Sequence, residues 1–230
     1  MVPPSPIELE ALLLSLKVAF WSVLVTLPIG LFTAWLLARK EFYGRAILNS
    51  IVYLPLVLPP VVVGFFLLAT LGQNGIIGKN LYDIFGITLI FTWQGAAIAS
   101  AIMSFPLMVR AIRISIENVD NKLEAAARTL GASPLKVFYS ITLPLITPGI
   151  LAGTMLAFAR SLGEFGATIT FVSNIPGETN TLPLAIYSLV QTPGGETGAL
   201  RLVTLSIIIA LFSLLISEYL AHQAKRRIGN

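Results

Sequence analysis

Long apolar runs separated by short polar connectors set the pattern of the chain. A helix crossing a hydrocarbon core about 30 Å thick needs roughly 20 apolar residues. Five segments reach that length: 18–38, fenced by Lys17 and by Arg39 and Lys40, then about 48–71, about 89–109, about 145–168, and 202–221. A sixth apolar stretch, "TLPLAIYSLVQ" (181–191), is too short to span and is expected to lie at the interface or re-enter the bundle. The pattern predicts an all-α polytopic membrane protein with about five transmembrane helices. Residues 1–230 read as a single membrane domain without soluble appendages. No repeat of 20–50 residues is visible, nor the matched pair of interrupted spans expected of an inverted-repeat secondary transporter.

Composition agrees with this reading. Hydrophobic residues make up 56% of the chain and charged ones only 11%, whereas soluble domains carry about 25% charged residues. The net charge of +4 raises nucleic acid as a partner until the cations are placed along the chain. Arg39, Lys40 and Arg45 follow the first span. Arg110, Arg113, Lys122, Arg128 and Lys136 follow the third, and Lys225, Arg226 and Arg227 end the chain, so eleven of the fifteen Lys and Arg fall on one side. Lys17, Lys79 and Arg201 fall on the other, and Arg160 lies within a span. The positive-inside rule then puts the N-terminus outside and the C-terminus in the cytoplasm. The charge reports topology in a bilayer and implies no nucleic acid. Trp21, Trp35 and Trp93 near span ends read as interfacial anchors. The absence of cysteine excludes disulfides and thiolate metal sites. The start has no basic n-region, so the N-terminus is expected to be retained.

One stretch breaks the apolar monotony: "NKLEAAARTLGASPLKVFYSITLP", 121–144. Asn121 with Glu124 three residues on forms a capping-box pattern. Ala125, Ala126 and Ala127 are strong helix formers that allow close approach. Gly131 supplies a left-handed stop, and Ser133 then caps a second helix that starts at Pro134. That helix offers Leu135, Val137 and Phe138 with Lys136 among them, and Pro144 and Pro148 mark the start of the fourth span. An ordinary lipid-surface helix is usually longer and more basic. A short, rigid helix–turn–helix with a small apolar face is better suited to a partner's groove.

This stretch resembles the EAA loop of ABC-importer permeases: Glu-Ala-Ala, three residues, Gly, nine residues, Ile, one residue, Leu-Pro. Gly131, Ile141, Leu143 and Pro144 match at the family spacing, while Glu124 stands one residue upstream of the family position, which Ala125 occupies. The resemblance implies a type I, MetI-like permease fold. It makes Glu124, Ala126, Ala127, Gly131, Ser133, Pro134, Leu135, Lys136, Phe138, Leu143 and Pro144 the loop that couples to an ATPase, with Ser133 to Phe138 entering a cleft on that subunit. The chain carries no phosphate loop of its own: in "GQNGIIGKN", Gly78 and Lys79 precede Asn80, and Gln73 stands where the first glycine is needed. That segment reads as a turn-rich connector in an outside loop.

Two polar or broken stretches are candidates for the pathway. In "YLPLVLPPVVVGFFLL", Pro55, Pro59 and Pro60 each remove a backbone donor, so the second span should kink or break, which in lipid is tolerable inside a bundle or beside a cavity. In "FARSLGEFGATITFVSN", Ser161, Glu164 and Thr168 have helix-face spacing, and Arg160 and Glu164 are placed to pair. Buried ionisable groups in a span are costly and face a cavity or one another. A structural role is expected for Glu164, and pathway contact for Ser161 and Thr168.

"SLGEFGATITFVSNIPGETNTLPLAIYSLVQTPGGE", "LPLVLPPVVVGFFLL" and "SFPLMVRAIR" resemble the molybdate permease subunits of bacterial importers over nearly the whole chain. The resemblance implies a homodimer in the bacterial cytoplasmic (inner) membrane, two cytoplasmic ABC ATPase subunits, an extracytoplasmic molybdate-binding protein, and no cofactor. Sulfate, thiosulfate and tungstate permeases share the Gly-Glu-Phe-Gly core, so another tetrahedral oxyanion is the alternative substrate. From a different class, a secondary transporter or channel would work without an ATPase. An intramembrane enzyme finds no HExxH or GxSxG motif, and the lone His222 reads as a solvated tail residue.

Overall fold

The computed structural model describes residues 5–228, all its regular elements being helical. Met1 to Pro4, on which the retained N-terminus was read, lie outside the described residues. Helix α1 (Pro6–Arg39) opens on a capping box: Ser5 Oγ accepts from Glu8 N at 3.3 Å, and Glu8 Oε2 accepts from Ser5 N at 2.8 Å. Its 34 residues extend about 51 Å, so it outruns the hydrocarbon core by about 20 Å.

The second apolar run is two helices, α2 (Arg45–Val57) and α3 (Pro60–Leu71), set at 114° to each other. Leu58 and Pro59 are extended at the junction, because a residue before proline is pushed out of the helical region. Of the three prolines expected to disrupt this span, Pro59 and Pro60 form the break, while Pro55 sits inside α2. Next comes α4 (Ile76–Phe85), where the sequence reading expected only a connector. Ile76, Ile84 and Phe85 are exposed along it.

Helix α5 (Trp93–Glu117) is the most buried long helix and the centre of the bundle. Ala96, Ala97, Ala99, Ser100 and Ala101 are buried along it and let α1 approach closely. After the short helices α6 (Asn121–Thr129) and α7 (Pro134–Val137), a π-helical turn (Phe138–Thr142) leads into α8 (Leu143–Leu162). Gly149 and Gly153 of α8 lie against α5. A Cβ on Gly149 would sit 2.2 Å from Ser115 Cβ, and one on Gly153 would sit 3.0 Å from Met108 O. Small residues four apart are the usual means of close helix crossing in lipid, where packing replaces the hydrophobic drive.

The fourth run also departs from expectation. It is not one helix to residue 168: it stops at Leu162 and resumes as α9 (Gly166–Val172). The short sixth stretch is α10 (Leu182–Gln191), and α11 (Glu196–Ile228) closes the chain. Ser15 Oγ accepts from Leu182 N at 2.6 Å, and Arg201 donates to the buried Glu8 Oε1 at 2.8 Å. Leu182, Ala185 and Leu202 bury against Ala11. The 181–191 stretch is therefore folded into the bundle against α1 and α11. Among the described residues, four helices are long and apolar enough to cross a membrane, and five spans result if the bent α2–α3 pair is one of them.

Large apolar side chains such as Phe20, Phe32, Phe65, Phe66, Leu211 and Phe212 point outward, as a lipid solvent permits. Lys17 Nζ lies 3.8 Å from the Trp93 ring centre at one end, and Lys40 Nζ 5.6 Å from Trp35 at the other. Lys225, Arg226 and Arg227 belong to the last turns of α11; their side chains and that of His222 lie outside the described ones.

Candidate functional site

At the end of the bundle where α1 finishes, α6 and α7 form the helix–turn–helix. Its caps differ from expectation at the start. Asp120 is the N-cap, its Oδ1 accepting from Lys122 N at 2.9 Å, and Asn121 is the first helical residue. The Asn121–Glu124 capping box does not form, because both side chains are taken by Arg39. The turn is as the residues require. Gly131 has φ of +84°, Ala132 N donates to Ala127 O at 3.0 Å, and Ser133 Oγ accepts from Lys136 N at 3.4 Å ahead of Pro134.

The π turn then carries the chain from α7 into α8 without interruption. Residues Pro134–Leu162 form one rod of 29 residues, about 44 Å long. Pro144, just after the π turn, and Pro148 are both carried inside this rod, each without a backbone N–H to donate to the preceding turn. Of the expected apolar face, Leu135 is 71% exposed, Phe138 is half-buried, and Val137 is buried. Leu130, 89% exposed, and Tyr139 complete the presented surface together with Lys136 and Ala126. Sequence reasoning passed over Leu130 and Tyr139. Each borders a turn, where spacing along one helix does not predict exposure. Ala127 and Leu143 are half-buried, and Pro144 is exposed.

Behind this surface lies an ion-pair network. Glu124 Oε1 accepts from Arg39 at 3.1 Å and from Thr142 Oγ1 at 2.9 Å. Arg128 lies 3.8 Å from Oε2. Arg39 also donates to Val119 O at 3.3 Å and to Asn121 Oδ1.

Deeper in the bundle the two helix breaks face each other. A Cβ on Gly166 would come within 2.7 Å of Pro60 Cβ, and one on Gly64 within 2.7 Å of Ala167 O. Only glycines allow α3 and α9 to close to this distance. Glu164 sits in the second break with its side chain 1% exposed, paired with Arg160 at 2.7 Å. Its Oε1 accepts from Ala167 N at 2.8 Å and so caps the first turn of α9. The expected pairing of Arg160 with Glu164 is present. The expected common helix face of Ser161, Glu164 and Thr168 is not, because Gly163 to Phe165 interrupt the helix. Ser161 turns to α5, 3.3 Å from Ser104 Oγ and 3.4 Å from Ser100 O, while the fully buried Thr168 donates to Phe165 O at 2.8 Å. Ser100 Oγ is buried without a hydrogen-bond partner among the described residues. The site is a cluster of hydroxyls beside a neutralised ion pair, where two spans give up continuous helix. Non-helical backbone at such depth persists only inside protein or along a cavity.

Facing helix breaks inside an apolar bundle, joined by a rigid rod to an exposed loop, are the architecture of a transport permease. The chain belongs to the family of binding-protein-dependent transport system inner membrane components, whose profile matches residues 26–228. It is similar to the molybdenum transport system permease protein ModB of Escherichia coli K12, with 64% identity over 222 residues, 96% of this chain and 97% of that protein. The protein of the same name from Haemophilus influenzae is 58% identical over 222 residues, again 96% and 97% of the two chains. A probable sulfate transport system permease protein, cysT of Chlorella vulgaris, is 35% identical over 211 residues, 92% of this chain and 79% of that one.

Among solved structures, the fold is shared with a bacterial ABC transporter involved in the import of the acidic polysaccharide alginate. That match has a TM-score of 0.76 and 20% identity, covering 95% of this chain and 80% of that one. It is shared also with the inward-facing MetNI methionine ABC transporter, at a TM-score of 0.68 and 16% identity over 94% of each chain.

Proposed function

We propose that this chain is the transmembrane permease subunit of an ATP-driven importer that carries molybdate across the bacterial cytoplasmic membrane. Residues 1–230 act as one translocation domain. The chain pairs with a second copy of itself, two cytoplasmic ATPase subunits and an extracytoplasmic binding protein, with its N-terminus outside and its C-terminus inside. ATP hydrolysis resides in the partner chains. The observation that carries the coupling role is the exposure of Leu130, Leu135 and Tyr139 on a capped helix–turn–helix continuous with α8. A push on α7 travels along the 29-residue rod to the Gly163–Phe165 break, beside which Gly166 packs against Pro60. Closure of the ATPases turns the bundle outward to accept the anion, and hydrolysis resets it.

Ser161 and Thr168 are the candidate pathway hydroxyls. Glu164, held by Arg160, keeps the break in shape and leaves no free carboxylate to repel a dianion. The choice of molybdate rests on the 64% identity to a molybdenum permease, against 35% to a sulfate one.

The test is reconstitution of the complex in liposomes with labelled molybdate, competed by tungstate and by sulfate. ATP-dependent uptake that excess sulfate leaves intact is expected. Equal competition by sulfate would replace molybdate with a general tetrahedral oxyanion. Gradient-driven uptake by this chain alone would overturn the ATP-coupled reading.

A further inference from the structure

Glu124 stands one residue before the position its family pattern assigns to the glutamate, and a helix turns by about 100° per residue. The shift points it inward: Ala125 is exposed, while the Glu124 side chain is 14% exposed. A single oxygen, Oε1, receives the guanidinium of Arg39, the last residue of α1, and the hydroxyl of Thr142, the last residue of the π turn that enters α8. The same guanidinium grips Val119 O and Asn121 at the start of α6. Three elements therefore meet at one atom. Helix α6 buries none of its residues fully, so apolar packing does little to fix it, and this polar junction is its main hold on the bundle. Thr142 is buried and the ion pair is largely shielded, so the contact is screened far less than a surface pair. The π turn beside it is a rare backbone form concentrated at functional positions.

We propose that the Arg39–Glu124–Thr142 junction makes the docking loop a lever, passing displacement of α6 and α7 to α1 and α8 together. Glu124 is a positioning residue acting within this chain, not a contact for the ATPase. The proposal rests on the ATP-coupled reading above.

The experiment compares Arg39→Met, Glu124→Gln and Thr142→Val in the complete reconstituted complex. It measures the ATPase subunit retained, the ATP hydrolysed, and the anion taken up per ATP. Each variant is expected to keep the ATPase subunit and hydrolysis within about twofold while uptake per ATP falls about tenfold, the scale of a typical coupling free energy. The Arg39→Met/Glu124→Gln double variant should be no worse than either single, because one junction is lost once. Arg39→Lys should restore part of the yield. Thr142→Val removes only a hydroxyl, so its result stands even where Arg39→Met lowers the inserted amount.

Normal yield in Arg39→Met and Thr142→Val, with loss only in Glu124→Gln, would overturn the proposal and assign the carboxylate to the ATPase. Loss of the ATPase subunit from all three would overturn it too, reducing the junction to a support for docking. A wild-type complex that carries sulfate in place of molybdate refutes the substrate alone and leaves the junction measurable.

Discussion

Replacing Arg160 by methionine isolates the charge of Glu164, whose side chain is 1% exposed while that of Arg160 is 28% exposed. The asymmetry sets the magnitudes. Without Arg160 the carboxylate keeps the Ala167 N–H at 2.8 Å but has lost its only salt-bridge partner among the described residues. Breaking a buried pair in this way costs about 3 kcal/mol, at the lower end because one strong donor remains. Glu164→Gln retains an oxygen for Ala167 N and leaves a cation that can extend toward water, so its cost is about 1 kcal/mol. The Arg160→Met/Glu164→Gln double variant removes the stranded charge and should be more stable than Arg160→Met by about 2 kcal/mol, roughly thirtyfold in the folded-to-unfolded ratio. The assay is unfolding in mixed micelles by sodium dodecyl sulfate, followed by tryptophan fluorescence. Equal losses in the two single variants, or a double variant less stable than Arg160→Met, would refute charge compensation as the reason the pair exists.

Three further outcomes follow from the geometry. Leu135→Asp places a charge on the exposed loop and should abolish co-purification of the ATPase while leaving membrane insertion unchanged; retained ATPase in pull-downs contradicts the docking surface. Gly149→Val has no room beside Ser115 and should cost about 3 kcal/mol or prevent α5–α8 closure, readable as loss of the monodisperse peak in detergent. Ser173, exposed and at φ of +62°, should gain about 1 kcal/mol on Ser173→Gly, which removes its strain; an unchanged melting temperature argues against that strain.

The spans were legible because hydropathy over about 20 residues depends on composition alone. The turn at Gly131 and the cap at Ser133 were legible because each acts on neighbours two or three positions away. Where Asn121 failed as a cap, the competitor was Arg39, 82 positions distant. The break at Gly163 to Phe165 was not legible, because it contains no proline to announce it and the spacing of Ser161, Glu164 and Thr168 fits a continuous helix face equally well. Beside it Gly166 packs against Pro60 and Gly64 against Ala167, contacts between distant positions that a linear window cannot register. Helix α4 was masked by its glycines, which read as turns until a packed neighbour held them.

By itself, then, the sequence determined that the chain lives in a bilayer, and where the helix–turn–helix loop turns at Gly131 and restarts at Ser133, since these follow from transfer energy and short-range backbone preference. Only the tertiary structure decided which side chains the loop presents and that Glu124 faces inward to Arg39 and Thr142. It alone placed Glu164 at the meeting of two broken helices. Those features depend on charges and close contacts between residues far apart in the chain, which have no energy until the bundle brings them together.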